Sequence, residues 1–275
     1  MVTNNPLTPI RRRPLGCKRP TRTGQLPNGR LLRAMIEPRA PAVIDRSATT
    51  FPMNMYDNDK YGNCTAAAVA NGMQASCALN GFHMDISTPD VDAFYAMCTG
   101  WSPTVPGSDQ GADPTLVMRD LYTKGFTLNH GGRYSYTYNG TPWLIEAADR
   151  NSLGNTINVF GYVYGAFGLS ESDSDAVEND IVWDTTNPGN QTPWSWGGHL
   201  MDIYDYTGLG DTDTVRLITW GEFRKATWRW VRSRMDTAYG VAYRSLLPER
   251  TRNQLGDDWD QIQSAAAAFA QKFGE

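Results

Sequence analysis

The sequence predicts an α+β fold, with helices leading and an antiparallel sheet following. Three observations predict it. Between residues 64 and 121, apolar side chains recur at helical spacing, bounded by capping and stopping residues. Near residue 126 the period shifts to strand-like runs. Two such runs, 199–206 and 214–220, flank the turn Gly208-Leu209-Gly210-Asp211, which suits an antiparallel hairpin.

The elements follow in chain order. Residues 64–79 are small and apolar nearly all round, with Met73, Cys77 and Leu79 among them, which predicts a helix buried on most sides and stopped by Gly81. Thr88-Pro89-Asp90 starts a second helix with a capping hydroxyl and a proline at the first helical position. Val91, Phe94, Tyr95 and Cys98 share its inner face, and Gly100 ends it. Residues 101–111 are rich in turn formers, and Asp109-Gln110-Gly111 reads as a turn. Asp113-Pro114 repeats the cap-and-proline signal, with Leu116, Val117 and Leu121 facing inward before Gly125. Beyond it, 134–138, 143–145 and 159–167 are strand-like or mixed, with 152–160 read as a short helix before a strand at 161–168. The acidic stretch 170–180 reads as a loop. A third strand at 238–246 follows the tryptophan-rich stretch 227–230. The tail, 251–275, reads as a helix capped by Asp257 or Asp258, with Ile262, Ala266, Phe269 and Phe273 on one face.

A chain of 275 residues, 40% hydrophobic and 20% charged, has an ordinary globular composition and can bury a sizeable core. It holds no apolar run long enough for a membrane span, and no apolar segment follows Arg11-Arg12-Arg13, so neither a membrane partner nor a Sec-type signal peptide is expected. The net charge of −4 is unevenly spread. Residues 1–50 carry ten Lys/Arg against Glu37 and Asp45, a balance of +8, which leaves −12 for the rest. They also hold seven of the 16 prolines. This predicts an extended basic arm over 1–50, ahead of a folded domain at 51–250. Such an arm is either a surface-draped leader or a segment that docks on an acidic surface or nucleic acid in a larger assembly. The arm lacks interleaved aromatics and the folded part is acidic, so nucleic acid is the less favoured partner.

The four cysteines (17, 64, 77 and 98) show no CxxC spacing, so neither a metal site nor a disulfide framework is expected, and no cofactor motif is present. Cys77 and Cys98 read as buried thiols; His83 and His130, without partner motifs, read as surface residues. Cys64 differs. The turn-forming stretch Asn58-Asp59-Lys60-Tyr61-Gly62-Asn63 delivers it to the first residue of a helix, where unsatisfied N–H groups and the positive end of the helix dipole favour thiolate over thiol. Far downstream, Gly197-Gly198-His199 opens a strand. A cysteine and a histidine so placed suit the nucleophile and base of a Cys–His hydrolase.

Three motifs, in order, then carry a resemblance: Gly62-Asn63-Cys64-Thr65, Trp196-Gly197-Gly198-His199, and Ile218-Thr219-Trp220-Gly221 with Thr227-Trp228. Across about residues 53–247 the chain resembles papain-like (clan CA, C39-like) cysteine peptidases, and more closely papain-like proteins of tailed bacteriophages and prophage-bearing bacteria. The resemblance implies a helical lobe that begins at the nucleophile and packs on an antiparallel sheet or half-barrel lobe. It implies Cys64 as nucleophile, His199 as base, and Asn58 as a side-chain oxyanion donor six residues before the cysteine. The substrate would be a protein, a peptide or a peptidoglycan cross-bridge. The setting would be a virion or the bacterial host cytoplasm, with other virion proteins as partners of the arm. The family orients its histidine with an Asn or Asp, but Ile218 falls at that position. Strand alternation turns Thr219 to the face opposite Ile218 unless a bulge intervenes, so Asp211, Asp213 or a backbone carbonyl are the substitutes considered. The pattern thus carries two functions: a cysteine peptidase, or an inactive papain-like fold serving as a structural virion protein. In either, Trp196 and Trp220 are the tryptophans expected beside the Cys–His pair.

Overall fold

Helix α1 (Cys64–Leu79) is buried from Cys64 through Cys77. Its run of alanines lets other elements close on it from several sides, as the all-round apolar pattern predicts. The computed structural model describes residues 14–20, 39–129, 132–247 and 249–272; His130 and Phe273 lie outside them. Helices α2 (Thr88–Thr99) and α3 (Pro114–Thr123) pack against α1 to form a helical lobe. A two-stranded ribbon, β1 (Phe126–Asn129) and β2 (Ser135–Tyr138), adjoins α2.

The rest is built on a six-stranded antiparallel sheet in the order β3-β8-β4-β5-β6-β7. Its strands are β3 (Thr141–Ile145), β4 (Val163–Leu169), β5 (Gly197–Tyr206), β6 (Thr214–Thr219), β7 (Glu222–Thr227) and β8 (Met235–Ala242). Alternation divides the strands between two cores. Leu200, Tyr204, Tyr164 and Ile218 face α1. Met201, Ile203 and Phe167 face the opposite layer, made by α4 (Arg150–Phe160), α5 (Glu171–Glu178) and α6 (Trp228–Arg234), whose Trp230 packs among them. The last helix, α7 (Glu249–Lys272), packs on β3 and α3.

Several expectations are corrected. Residues 171–178 are a helix, not a loop. Ser170 and Asp173 form a capping box at its start, and Ala176 and Val177 are buried beneath it, so its acidic first turn complements the helix dipole. The second helix is capped by Ser87 rather than Thr88, again in a capping box, with Asp90. In α3, Met118 is fully buried where Leu116 is only partly so. Strand β7 was not predicted because its turn, Trp220-Gly221, lacks the usual Asn-Gly signature; both residues nonetheless have positive φ, 50° and 73°, as a tight two-residue hairpin requires. The third predicted strand begins at Met235 rather than 238 and ends at Ala242, since 244–246 form a 3-10 turn. The tail helix begins at Glu249, so neither Asp257 nor Asp258 caps it.

Part of the basic leader belongs to the folded body. Ile44 exchanges two backbone hydrogen bonds with Tyr206 at the end of β5 (3.0 and 3.1 Å). Arg46 is 8% exposed, and its guanidinium donates to Ile157 O and Gly161 O at the end of α4 (2.6 and 2.7 Å) and to Tyr204 O (3.1 Å). A cation at a helix C-terminus that also satisfies stranded carbonyls is strongly placed. We predict that Arg46→Met costs about 2–4 kcal/mol, read as a lower urea midpoint with unchanged slope.

Asp202 is fully buried on the α1 face, and its carboxyl oxygens have no hydrogen-bond partner among the described residues. Burial pushes this carboxyl well above the usual carboxylate range, so it is protonated when folded. The unfolded chain releases that proton above about pH 3.9, which costs the fold roughly 1.4 kcal/mol per pH unit up to the folded value. Asp202→Asn is therefore expected to stabilise the protein at pH 7. The gain should fade as pH falls toward about 4, where both states hold the proton, and thermal unfolding of both proteins across this pH range reads it directly.

Candidate active site

The loop before α1 is tied by its own amides. Asn63 donates to Tyr56 O (2.8 Å), and Asn58 donates to Asn63 Oδ1 (3.1 Å) and Tyr61 O (3.2 Å). Asn63 occupies the N-cap position of α1 but makes no side-chain cap bond; the Ala66 and Ala67 N–H groups donate to its carbonyl (2.9 and 3.0 Å), and the Thr65 N–H is turned to the thiol. The expected oxyanion donor, Asn58, is 2% exposed, with its amide taken up by the loop. Gly62 N–H donates to Asp109 Oδ2 (2.8 Å), and Tyr95 OH donates to Asp109 Oδ1 (2.6 Å). Asp109, read from sequence as part of a turn, thus fixes the backbone two residues before the cysteine. No local pattern signals a contact across 47 residues.

Cys64 is 1% exposed. Burial pushes its thiol up to about 11, while the backbone N–H groups of Leu200, Gly16 and Thr65 pull the other way. Leu200 directly follows His199, so the packing of α1 on β5 brings the predicted nucleophile and base to the same end of the sheet.

His199 is fully buried, and its Nε2 lies 2.7 Å from Thr219 Oγ1. Its ring stacks on Trp220 with centroids 4.5 Å apart at 23°, and Trp196 adjoins Trp220 at 5.9 Å. The register explains the threonine. Asp202 pairs with Ile218 and Ile203 with Leu217, which sets Thr219 opposite Met201, on the same face as His199. Alternation does turn Thr219 away from Ile218, but the histidine is on that side too, so no bulge is needed. The other substitutes are engaged elsewhere: Asp211 with Arg150 and Arg232, and Asp213 with Gly210 N–H in the hairpin loop. With Thr219 Oγ1 accepting from Nε2–H, the basic lone pair lies on Nδ1. A hydroxyl orients the ring but adds no negative charge to steady an imidazolium. His83 is exposed and apart from the site. Among the described residues no three His, Cys, Asp or Glu side chains come together as a metal-ligand set, and no helix is long and apolar enough to cross a membrane.

The cleft between the lobes is filled by the chain itself. Residues 14–20 run through it, bonded on both sides: Cys17 N–H donates to Gly198 O (3.1 Å), Lys18 N–H to Ala112 O (2.9 Å), and Ala112 N–H to Gly16 O (2.8 Å). Backbone meets backbone so closely that a Cβ on Gly16 would lie 1.7 Å from Gly62 O. The Leu15 side chain covers Gly197, and the Arg19 guanidinium lies 4.8 Å from the Trp194 ring centroid. Gly16 N–H points at the Cys64 sulfur. Across a trans peptide the Leu15 carbonyl then points away, so the sulfur meets the donor edge of this peptide and not an attackable carbonyl carbon.

No protein-family model matches the sequence, and no curated protein matches it. Solved structures do. Xylellain, a cysteine protease from Xylella fastidiosa, superposes with a TM-score of 0.54 at 16% identity, over 74% of this chain and 87% of that one. The digestive procathepsin L2 proteinase from the larval midgut of Tenebrio molitor gives 0.57 at 14% identity, over 85% and 79% of the two chains. The procathepsin B S9 from Trypanosoma congolense gives 0.54 at 12%, over 84% and 86%. The chain therefore has the fold of papain-like cysteine proteases.

If Thr219 orients His199, Thr219→Val should slow iodoacetamide labelling of Cys64 near neutral pH by about tenfold or more, while Thr219→Ser retains most of the rate. Equal rates in all three proteins would remove Thr219 from the site.

Proposed function

We propose that this protein is a papain-like cysteine peptidase held latent by its own residues 14–20. The observation that carries the reading is the arm lying across Cys64, between the cysteine-bearing lobe and the strand of His199, with backbone hydrogen bonds on each side. A cleft that binds an extended backbone by this pairing suits an extended peptide substrate. In the reaction, His199 accepts the Cys64 proton, and the thiolate attacks a substrate carbonyl. His199 then protonates the leaving amine, and water releases the acyl group from sulfur. The Cys64 N–H, at the open end of α1, faces the developing oxyanion. Asn58 braces the turn beneath it, and would reach an oxyanion only by giving up its contacts with Tyr61 and Asn63. Trp220 covers the imidazole and keeps water from it.

Latency follows from the thiol. At about 11, a buried Cys64 holds only about one part in ten thousand as thiolate at pH 7. Lifting the arm restores water and dipole access to the sulfur. The alternative of an inactive fold in a phage particle was motivated by the missing orienter and by the basic arm. Thr219 supplies an orienter, and residues 14–20 have a place in the chain's own cleft. Phage origin and virion association rest on the motif resemblance, and mass spectrometry of purified particles tests them: a protein absent from particles is not a virion component.

The test of latency uses the full chain. Gly16→Val places atoms where Gly62 O stands, so the arm cannot seat. We expect faster Cys64 alkylation and new hydrolysis of an unfolded protein such as casein, each tenfold gain reporting about 1.4 kcal/mol of lost arm binding. The hydrolysis should vanish in Gly16→Val/Cys64→Ala. A folded Gly16→Val protein whose Cys64 reacts no faster than in the parent would defeat the proposal.

A further inference from the structure

The residue after Gly16 in the seated arm is a cysteine. Cys17 is 4% exposed and belongs to the same buried cluster as Cys64. Its backbone is pinned by the bond to Gly198 on one side and, through Gly16 and Lys18, by the bonds to Ala112 on the other. One residue step, about 3.8 Å between Cα atoms, separates it from Gly16, whose N–H touches the Cys64 sulfur. After burial, which pushes the Cys17 thiol well up, the strongest influence on it is Cys64, ahead of Asp113 and Asp236. Tyr164, on the cleft floor, is within electrostatic reach of both thiols. All four cysteines are free thiols, and Cys77 is a poor alternative partner: it lies thirteen residues along α1 from Cys64, roughly 20 Å at 1.5 Å per residue.

We propose that Cys17 and Cys64 form a reversible disulfide that ties the arm across the cleft when the protein meets a peroxide. The inference rests on the reading of Cys64 as the reactive thiol. While the arm is lifted, the Cys64 thiolate attacks hydrogen peroxide: the S–O bond forms, the O–O bond breaks, and hydroxide leaves to take the proton held by His199, giving Cys64 sulfenic acid and water. When the arm reseats, the Cys17 sulfur attacks the Cys64 sulfur. The S–S bond forms, the S–O bond breaks, and the hydroxyl leaves with the Cys17 proton as a second water. Two thiols have then given two electrons to one peroxide. A dithiol reductant supplies two electrons back and frees the arm. The bridge needs Cα atoms about 4.4–6.8 Å apart, and the seated arm presses Gly16, the neighbour of Cys17, against Gly62, two residues before Cys64, so closely that a Cβ there would lie 1.7 Å from Gly62 O. It also spares Cys64 from irreversible oxidation, because the resolving thiol is already in the cleft.

The experiment treats the reduced full-length protein with equimolar hydrogen peroxide, alkylates it under denaturing conditions and maps the peptides. The expected result is a linked pair of peptides holding Cys17 and Cys64, a free-thiol titre falling from four to two, and full recovery with dithiothreitol. In Cys17→Ser the linked pair should be absent, and with a second equivalent of peroxide sulfinic acid should accumulate at Cys64 but not in the parent. Separate peptides in the parent protein, with Cys64 oxidised and Cys17 still a thiol, would overturn the proposal; so would a Cys17→Ser protein whose Cys64 is no more oxidised than the parent's. Iodoacetamide labelling of Cys64 with and without His199→Ala separates this from the peptidase reading. Labelling that depends on His199, with no bridge formed, refutes the disulfide and leaves the peptidase. A bridge with His199-independent labelling keeps the disulfide and removes the peptidase.

Discussion

Everything in this protein is arranged around a helix that has no face for water. Helix α1 is buried over fourteen consecutive residues, so it must be enclosed by a helical lobe on one side and a sheet on the other. Its few polar side chains serve that enclosure. Ser76 donates to Phe160 O at the end of α4, Asn71 both donates to and accepts from the backbone of Asn54, and Gln74 accepts from Met84 N–H. An unsatisfied polar group in this position would cost about 1–3 kcal/mol, so these bonds also specify how the surrounding segments close. The N-terminus of the enclosed helix falls at the cleft occupied by residues 14–20. The thiol is at the cleft because the helix start is there.

His199 is positioned by a different constraint. His199 and Thr219 are neighbours only through the pairing of β5 with β6, and a slip of one residue would move Thr219 to the face of Ile218. The two-residue turn at Trp220-Gly221, between β6 and β7, swings Trp220 back over the imidazole. A bulky residue in the left-handed region is costly, of the order of 1–3 kcal/mol, and here its ring stacks on the base. The register irregularity in the same pair falls later, between Ile203 and Asp205, where it does not disturb the site.

The arm joins the two halves. Glycines on both lobes leave bare backbone facing the cleft, and the arm meets it with its own glycine at the tightest point. The contact is sterically exacting: one methyl group at Gly16 would overlap a carbonyl oxygen. In it the Cys64 sulfur meets the Gly16 N–H, not a carbonyl carbon. Burial beneath the arm raises the Cys64 thiol, and the latency we propose rests on that burial alone.

Local periodicity was enough to give the helical half, the β5–β6 hairpin and the α+β class, because burial on one face imposes a spacing that a single sequence displays. Cys64 stood out for the same reason: a turn, a cysteine and an apolar helix are adjacent in the chain. The capping box at Ser170 was equally local, and its acidic composition masked it. What the tertiary structure alone decided depends on distance along the chain. Thr219 partners His199 because of a pairing register, Asp109 holds Gly62 across 47 residues, and Asn58 turns its amide into the loop. Residues 14–20 read as part of an extended basic arm, and they lie in the chain's own cleft. Their contacts are made mostly by backbone atoms, which every residue carries and no side-chain pattern records. The sequence by itself determined which residues were equipped for the chemistry; only folding decided which of them meet, since that depends on register and close approach between segments far apart in the chain.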